Sequence, residues 1–191
     1  MAATQTIGAI SRRWGRLSEL SPWRFVRTIW IIDLLSIVPI YAIVALLDRH
    51  YHFFGPDVPG ASLLEQWGPV RIFVIVVVAA PLLETFIGQG LPWVLTRLLR
   101  LPPAFFLVLS TIWFAWLHGV GFHGPDFWVM VVGHLIAAYL LAFTYLQGRK
   151  HSRWRAIWMT ASVHMLANLT VMVAYFLGQL SAHGAMRSKI G

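Results

Sequence analysis

The sequence predicts an all-α fold: a polytopic membrane helix bundle of about five transmembrane helices plus a short N-terminal interfacial helix. Three observations carry that prediction. Of the 191 residues, 58% are hydrophobic and only 12% charged, about half the ~25% of a soluble domain, and mean hydropathy is +0.69. The apolar residues gather into five runs, each near the ~20 residues that a helix needs to cross a bilayer. The basic residues stand at the ends of those runs rather than within them. Disorder is excluded by the same composition, because a disordered chain is polar and charge-rich.

The N-terminal segment, residues 1–24, reads as cytoplasmic and interfacial. Ile7, Ile10, Trp14, Leu17 and Leu20 recur at helical spacing, with Arg12, Arg13 and Arg16 between them. That pattern suits a short amphipathic helix lying on a membrane surface. Ser11-Arg12-Arg13-Trp14 resembles a twin-arginine export signal. The apolar run that follows has no small-residue cleavage site, so it reads as an uncleaved first span.

The first span is Ile29–Leu47. Asp48–Gly68, with Gly55-Pro56, Pro59-Gly60 and mixed charge, reads as an outside loop. The second span, Val70–Leu99, is long enough to tilt or to break near Gly88, Gly90 and Pro92. The third is Ala104–Val120, the fourth Phe127–Leu146 and the fifth Ala156–Leu177. The whole chain, 1–191, reads as one membrane domain.

Charge orients these spans. Arg12, Arg13, Arg16, Arg24, Arg27, Arg97, Arg100, Arg149, Lys150, Arg153 and Arg155 fall on one side, against Arg49, Arg71, Arg187 and Lys189 on the other. Eleven against four predicts an N-terminus inside and a C-terminus outside. The net charge of +8 is then accounted for by anionic membrane lipid as partner, with no nucleic acid. Cysteine is absent, which excludes disulfides, thiolate zinc sites and iron–sulfur clusters.

Ionisable side chains are expensive at bilayer depth, about 2.5–3.5 kcal/mol for Asp, Lys or Arg at a helix centre. The strongly polar residues at depth are therefore the candidates for function. They are Asp33, Glu84, Gln89, His118, His134, His164 and Asn168. Glu84 follows twelve uncharged residues, Ile72–Leu83. Pro81 just before it removes a backbone donor and kinks the helix, and Gly88 and Gly90 let another helix approach.

Phe114 and His118 are four residues apart and share a helix face, so the ring can shield the imidazole and fix its orientation. His164 and Asn168 share a face in the same way. Two donors aimed together can hold an oxyanion, or can clasp two helices together. A rise of about 1.5 Å per residue puts Glu84 and His118 about 21 Å from the basic ends of their spans. Asn168 comes about 18 Å in, with His164 one turn below. One depth can thus hold all four.

An intramembrane Glu after a Pro, then Phe-x-x-x-His, then His-x-x-x-Asn, in that order on separate spans, resembles the CPBP family. These are the CAAX prenyl protease and bacteriocin-processing membrane proteins, a class of glutamic intramembrane proteases. The resemblance covers Val70–Leu177 and leaves the first span outside it.

The resemblance implies an intramembrane endopeptidase acting on a membrane-associated protein or peptide, with no cofactor and no metal. Glu84 and His118 would activate a water, and His164 and Asn168 would stabilise the oxyanion. Thr85, Gln89 and Phe114 would support them. The family's first motif reads Glu-Glu-x-x-x-Arg, where this chain has Glu84-Thr85-Phe86-Ile87-Gly88-Gln89. The paired charges become Thr85 and Gln89, two neutral residues at the same spacing, which the sequence predicts to satisfy each other.

Three other readings compete. One is a catalytically inactive relative that binds or scaffolds a membrane partner. Another is a metalloenzyme built on His118, His123, His134 and His164, although no His-Glu-x-x-His pair is present. The third is an ion pathway through Asp33 and His134. Against that third reading, Asp33 suits a buried hydrogen-bond partner, and His134 a packing contact near the outer surface.

Overall fold

Apolar stretches of this length close their backbone hydrogen bonds internally, and in lipid that leaves helices as the solution. The computed structural model describes residues 17, 19–51, 61–121 and 123–187, and all of its described secondary structure is helical. Helix α1 spans Pro22–Tyr51, covering the expected first span. A long second rod is built of α2 (Ala61–Ile72), a π-helical stretch Phe73–Ala79, α3 (Ala80–Thr85), a second π stretch Phe86–Gly90, and α4 (Leu91–Leu98). Helix α5 spans Pro103–Gly119, α6 Pro125–Arg149 and α7 Arg153–Arg187.

Three stretches are long and apolar enough to cross a membrane: Trp67–Leu98 (32 residues), Phe127–Arg149 (23) and Arg153–Ala174 (22). Pro103–Gly119 is a shorter apolar helix. The expected loop Asp48–Gly68 is helical at both ends, through Tyr51 and from Ala61. A break does fall at its far edge, where Gly68 takes φ 73° before Pro69. Ile7, Ile10, Trp14 and the arginines of the expected interfacial helix lie outside the described residues. Leu17 and Leu20 pack against the main apolar core.

Beyond the break at Gly68–Pro69, the second rod does not break at its later glycines and prolines; it widens instead. In each π stretch the hydrogen bond reaches back five residues, as in Ala80 N–H to the Ile75 carbonyl and Leu91 N–H to the Phe86 carbonyl. The residues next in line are Pro81 and Pro92, which have no N–H to give. The carbonyls that they leave free are taken by other helices. Asn168 Nδ2 on α7 donates to the Val76 carbonyl at 2.8 Å. Ser110 Oγ and Trp113 Nε1 on α5 donate to the carbonyls of Gly88 and Ile87 at 2.8 and 3.2 Å.

Helix α6 is the central one. Ala138 and Leu140–Tyr145 along it are buried, and they meet Phe25, Val26 and Ile29 of α1, Phe114 and Ala115 of α5, and Met159 and Val163 of α7. Among lipid tails no water is expelled by such contacts, so close packing and interhelical hydrogen bonds hold the rods together. Polarity is accordingly inverted. Thr85, Gln89, Ser110, Thr144 and Thr160 are buried, while Leu35, Val70, Leu83 and Leu98 are exposed.

One end of the bundle is basic. Arg97 and Arg149 both lie over the Trp93 ring, at 5.8 and 5.1 Å from its centroid. Trp93 meets Phe106 edge-on at 5.3 Å, and both pack on Tyr145. The chain turns back at this end twice, between α4 and α5 and between α6 and α7. At the second turn a Cβ on Gly148 would collide with the backbone of Ala156, so only glycine permits that approach.

Candidate active site

Away from the basic end, the second rod, α5, α6 and α7 enclose a cavity of about 440 Å³. It is lined by Glu84, His118, His134, His164 and Asn168 among apolar residues such as Val76 and Met172. Four helical rods thus deliver five polar side chains to one space. The depth argument made from sequence brought four of them together.

Glu84 stands in α3, the short α-helical piece between the two π stretches, with its side chain 37% exposed into the cavity. Its Oε2 lies 3.4 Å from His164 Nε2 and 3.9 Å from His118 Nε2. His118 occupies the last turn of α5, where its Nδ1 is 3.0 Å from the Phe114 carbonyl. A carbonyl can only accept, so Nδ1 carries the proton and Nε2 of the neutral ring is left as an acceptor facing Glu84. Two acceptors 3.9 Å apart are too far for a direct hydrogen bond and suit a water between them.

Phe114 is 2% exposed and touches both flanking imidazoles, tilted against His118 at 4.5 Å and edge-on to His164 at 5.5 Å. Its ring lies on Gly88, where a Cβ would clash with it. The expected close approach at Gly88 is therefore present, and its occupant is the ring that orients the histidines. Gly90 has ordinary space around it.

His164 is 7% exposed, and its Nδ1 is buried without a partner. Nε2 faces the Glu84 carboxyl and is the nitrogen placed to donate. Asn168, one turn on, uses one N–H on the Val76 carbonyl and keeps a second for the cavity it lines. The clasp and the convergent donor are thus the same residue.

Two sequence readings change. His134 is a packing contact between helices, as expected, but it is also part of the cavity wall. It lines the cavity and stacks on His118 with centroids 4.4 Å apart and planes 25° from parallel. Its Nδ1 donates to the Met130 carbonyl at 2.7 Å, so its Nε2 is a second acceptor. The signal was available in the stripe Val131, Leu135, Ala138, which faces the core and has His134 on its flank.

Thr85 and Gln89, for their part, do not satisfy each other. Thr85 Oγ1 bonds back to the Pro81 carbonyl at 2.7 Å, and both amide atoms of the fully buried Gln89 lack a partner.

Asp33 is 2% exposed and its Oδ1 has no partner, so the hydrogen bond expected of it is missing on that oxygen. It does not line the cavity with His134. For a metal ion, Glu84, His118 and His164 offer ligand atoms all within 4.8 Å of one another. His123 lies in the turn between α5 and α6, outside that group. Nothing matches this chain among family models, curated proteins or solved structures.

Proposed function

We propose that the protein is a glutamic-type intramembrane endopeptidase, hydrolysing a peptide bond of a membrane-associated protein or peptide without a metal. The convergence of Glu84, His118 and His164 from three separate rods carries the reading, together with the likeness to the CPBP motifs. A water between Glu84 Oε2 and His118 Nε2 is oriented by two acceptors. Glu84 takes one of its protons as the oxygen attacks the scissile carbonyl. His164 Nε2–H and the free N–H of Asn168 receive the developing oxyanion. The C–N bond then breaks, and the proton held by Glu84 passes to the leaving amine.

The charge distribution supports a cytoplasmic N-terminus, and the CPBP likeness supports placement in a bacterial inner membrane. The family likeness covers the region from Val70 to Leu177.

A second reading uses the same three ligands to bind a divalent metal. It is favoured by one feature: His118 donates its other ring nitrogen to a carbonyl, as metal-bound histidines do. Metal content of the purified protein, and activity after chelation, separate the two. Retained activity in metal-free protein supports the first.

The test of function is a comparison of peptide termini in membranes carrying wild type or Glu84→Gln at equal abundance. Termini that appear only with wild type establish proteolysis and name its substrates. Identical profiles from two stably inserted proteins assign the chain to a binding or scaffold role instead.

A further inference from the structure

The turn that joins α6 to α7 lies between two stretches long and apolar enough to cross a membrane, which puts it near the level of lipid headgroups when they do. A separate cavity of about 180 Å³ opens there, several times the ~30 Å³ share of one water. Gln147, Lys150, His151 and Arg155 line it, with Phe25 and Leu20 forming its apolar wall. Nothing in the proposed proteolysis uses it.

Two buried polar atoms at this cavity lack partners, Arg155 Nε and Gln147 Oε1. A buried guanidinium nitrogen without an acceptor is rare in folded proteins. The Gln147 amide can turn its NH₂ inward at no cost in shape. Among the described residues no carboxylate answers the cations. Among the described residues the only carboxylate contacts within 4.0 Å are the two histidines on Glu84. Glu19, beside Leu20 in sequence, pairs with none of them. The first turn of α7 begins here, capped by Ser152 Oγ on Arg155 N–H at 3.0 Å, and a helix start adds partial positive charge.

We propose that this cavity binds a phosphate group, held by Lys150 and Arg155 with His151 and Gln147 beside them. Its source is either the headgroup of an anionic phospholipid or a small phosphate solute. Both present the tetrahedral oxyanion that a guanidinium and an ammonium recognise.

Native mass spectrometry of the full-length protein in detergent tests this, with phosphatidylglycerol, phosphatidylcholine and inorganic phosphate as probes. Phosphatidylglycerol adducts are expected on wild type in preference to phosphatidylcholine. Lys150→Gln with Arg155→Gln should weaken them by about ten-fold or more, the worth of one charge-assisted hydrogen bond. Arg153→Gln removes a charge from the same turn but lines a different groove, so it should leave them in place. Inorganic phosphate that competes with the lipid at equal strength also supports the site and makes the solute its source. Adducts undiminished in the Lys150→Gln, Arg155→Gln variant, or lost equally in the Arg153 variant, overturn it. Lys150→Gln alone, at an exposed position, keeps the test valid if the double variant does not fold.

Discussion

His118 sits between two rings, Phe114 of its own helix and His134 of the next. An imidazole whose plane is fixed on both sides points its free nitrogen in one direction, and small misplacements of a reacting group cost about 100-fold in rate. His134→Ala is therefore expected to lower turnover by about 10–100-fold once a substrate is in hand. His134→Phe, which keeps the stack and loses the nitrogens, should recover most of it. If the Phe variant is as slow as the Ala variant, His134 acts through its nitrogen.

Gln89 makes the opposite kind of prediction. A buried amide without partners carries a penalty of about 1–3 kcal/mol. Gln89→Met, which keeps the volume and removes the polar atoms, is expected to raise the unfolding midpoint. A lowered midpoint would mean that the amide has a partner in the membrane. At this scale the sequence was legible where spacing alone decides, as for Phe114 with His118 and His164 with Asn168. It was silent where partners come from other helices, which is why His134, named as a candidate, was not grouped with the other four cavity residues.

The second rod shows one device used twice: a π stretch, then a proline, then carbonyls lent to a neighbour. Prolines and glycines in the sequence marked the place of the irregularity correctly. They gave no sign that the helix widens rather than breaks, because the π and α forms draw on the same residue types. The device can be measured by a double-mutant cycle. Ser110→Ala should cost about 1 kcal/mol in wild type, by freeing the Gly88 carbonyl. In a Pro92→Ala background the restored N–H can reach that carbonyl four residues back, so the same change should cost less. A coupling of about 0.5 kcal/mol or more is expected for residues that share one acceptor. Simple additivity would show that Pro92 does not release the carbonyl.

Helix contact depends on single small residues in a similar way. Gly148→Val places a branched side chain where the α7 backbone already lies. Separation of α6 from α7 at the basic end should follow, seen as loss of the folded species in detergent. A wild-type melting profile would contradict the close packing at that turn.

Among the described residues, Thr85, Gln89, Ser110, Thr144 and Thr160 turn inward beside the apolar core, while large apolar side chains such as Leu35, Leu83 and Leu98 face outward. The high apolar share of the composition predicted helices made for lipid, and the existence of the rods follows from it. The apolar runs gave the third and fourth rods to within about three residues at each end, whereas the first begins earlier, at Pro22, and the last runs on to Arg187. The loop after the first span was misread for a related reason. Gly-Pro pairs mark where a chain turns, but the helices on both sides run closer to them than composition suggests. The assembly of the cavity was legible only as a shared depth; which faces meet depends on packing around α6.

The lent carbonyls also set a schedule for biogenesis. As the second rod emerges from the ribosome it is the most apolar part of the chain, yet its Val76, Ile87 and Gly88 carbonyls have no partner within it. Each would cost several kcal/mol if left bare in hydrocarbon. The rod therefore cannot mature alone: Ser110 and Trp113 arrive first, with α5, and Asn168 only 55 residues after Trp113. Glu84 rides on the short piece between the two π stretches, so in an unfinished chain the cavity it lines is not yet assembled.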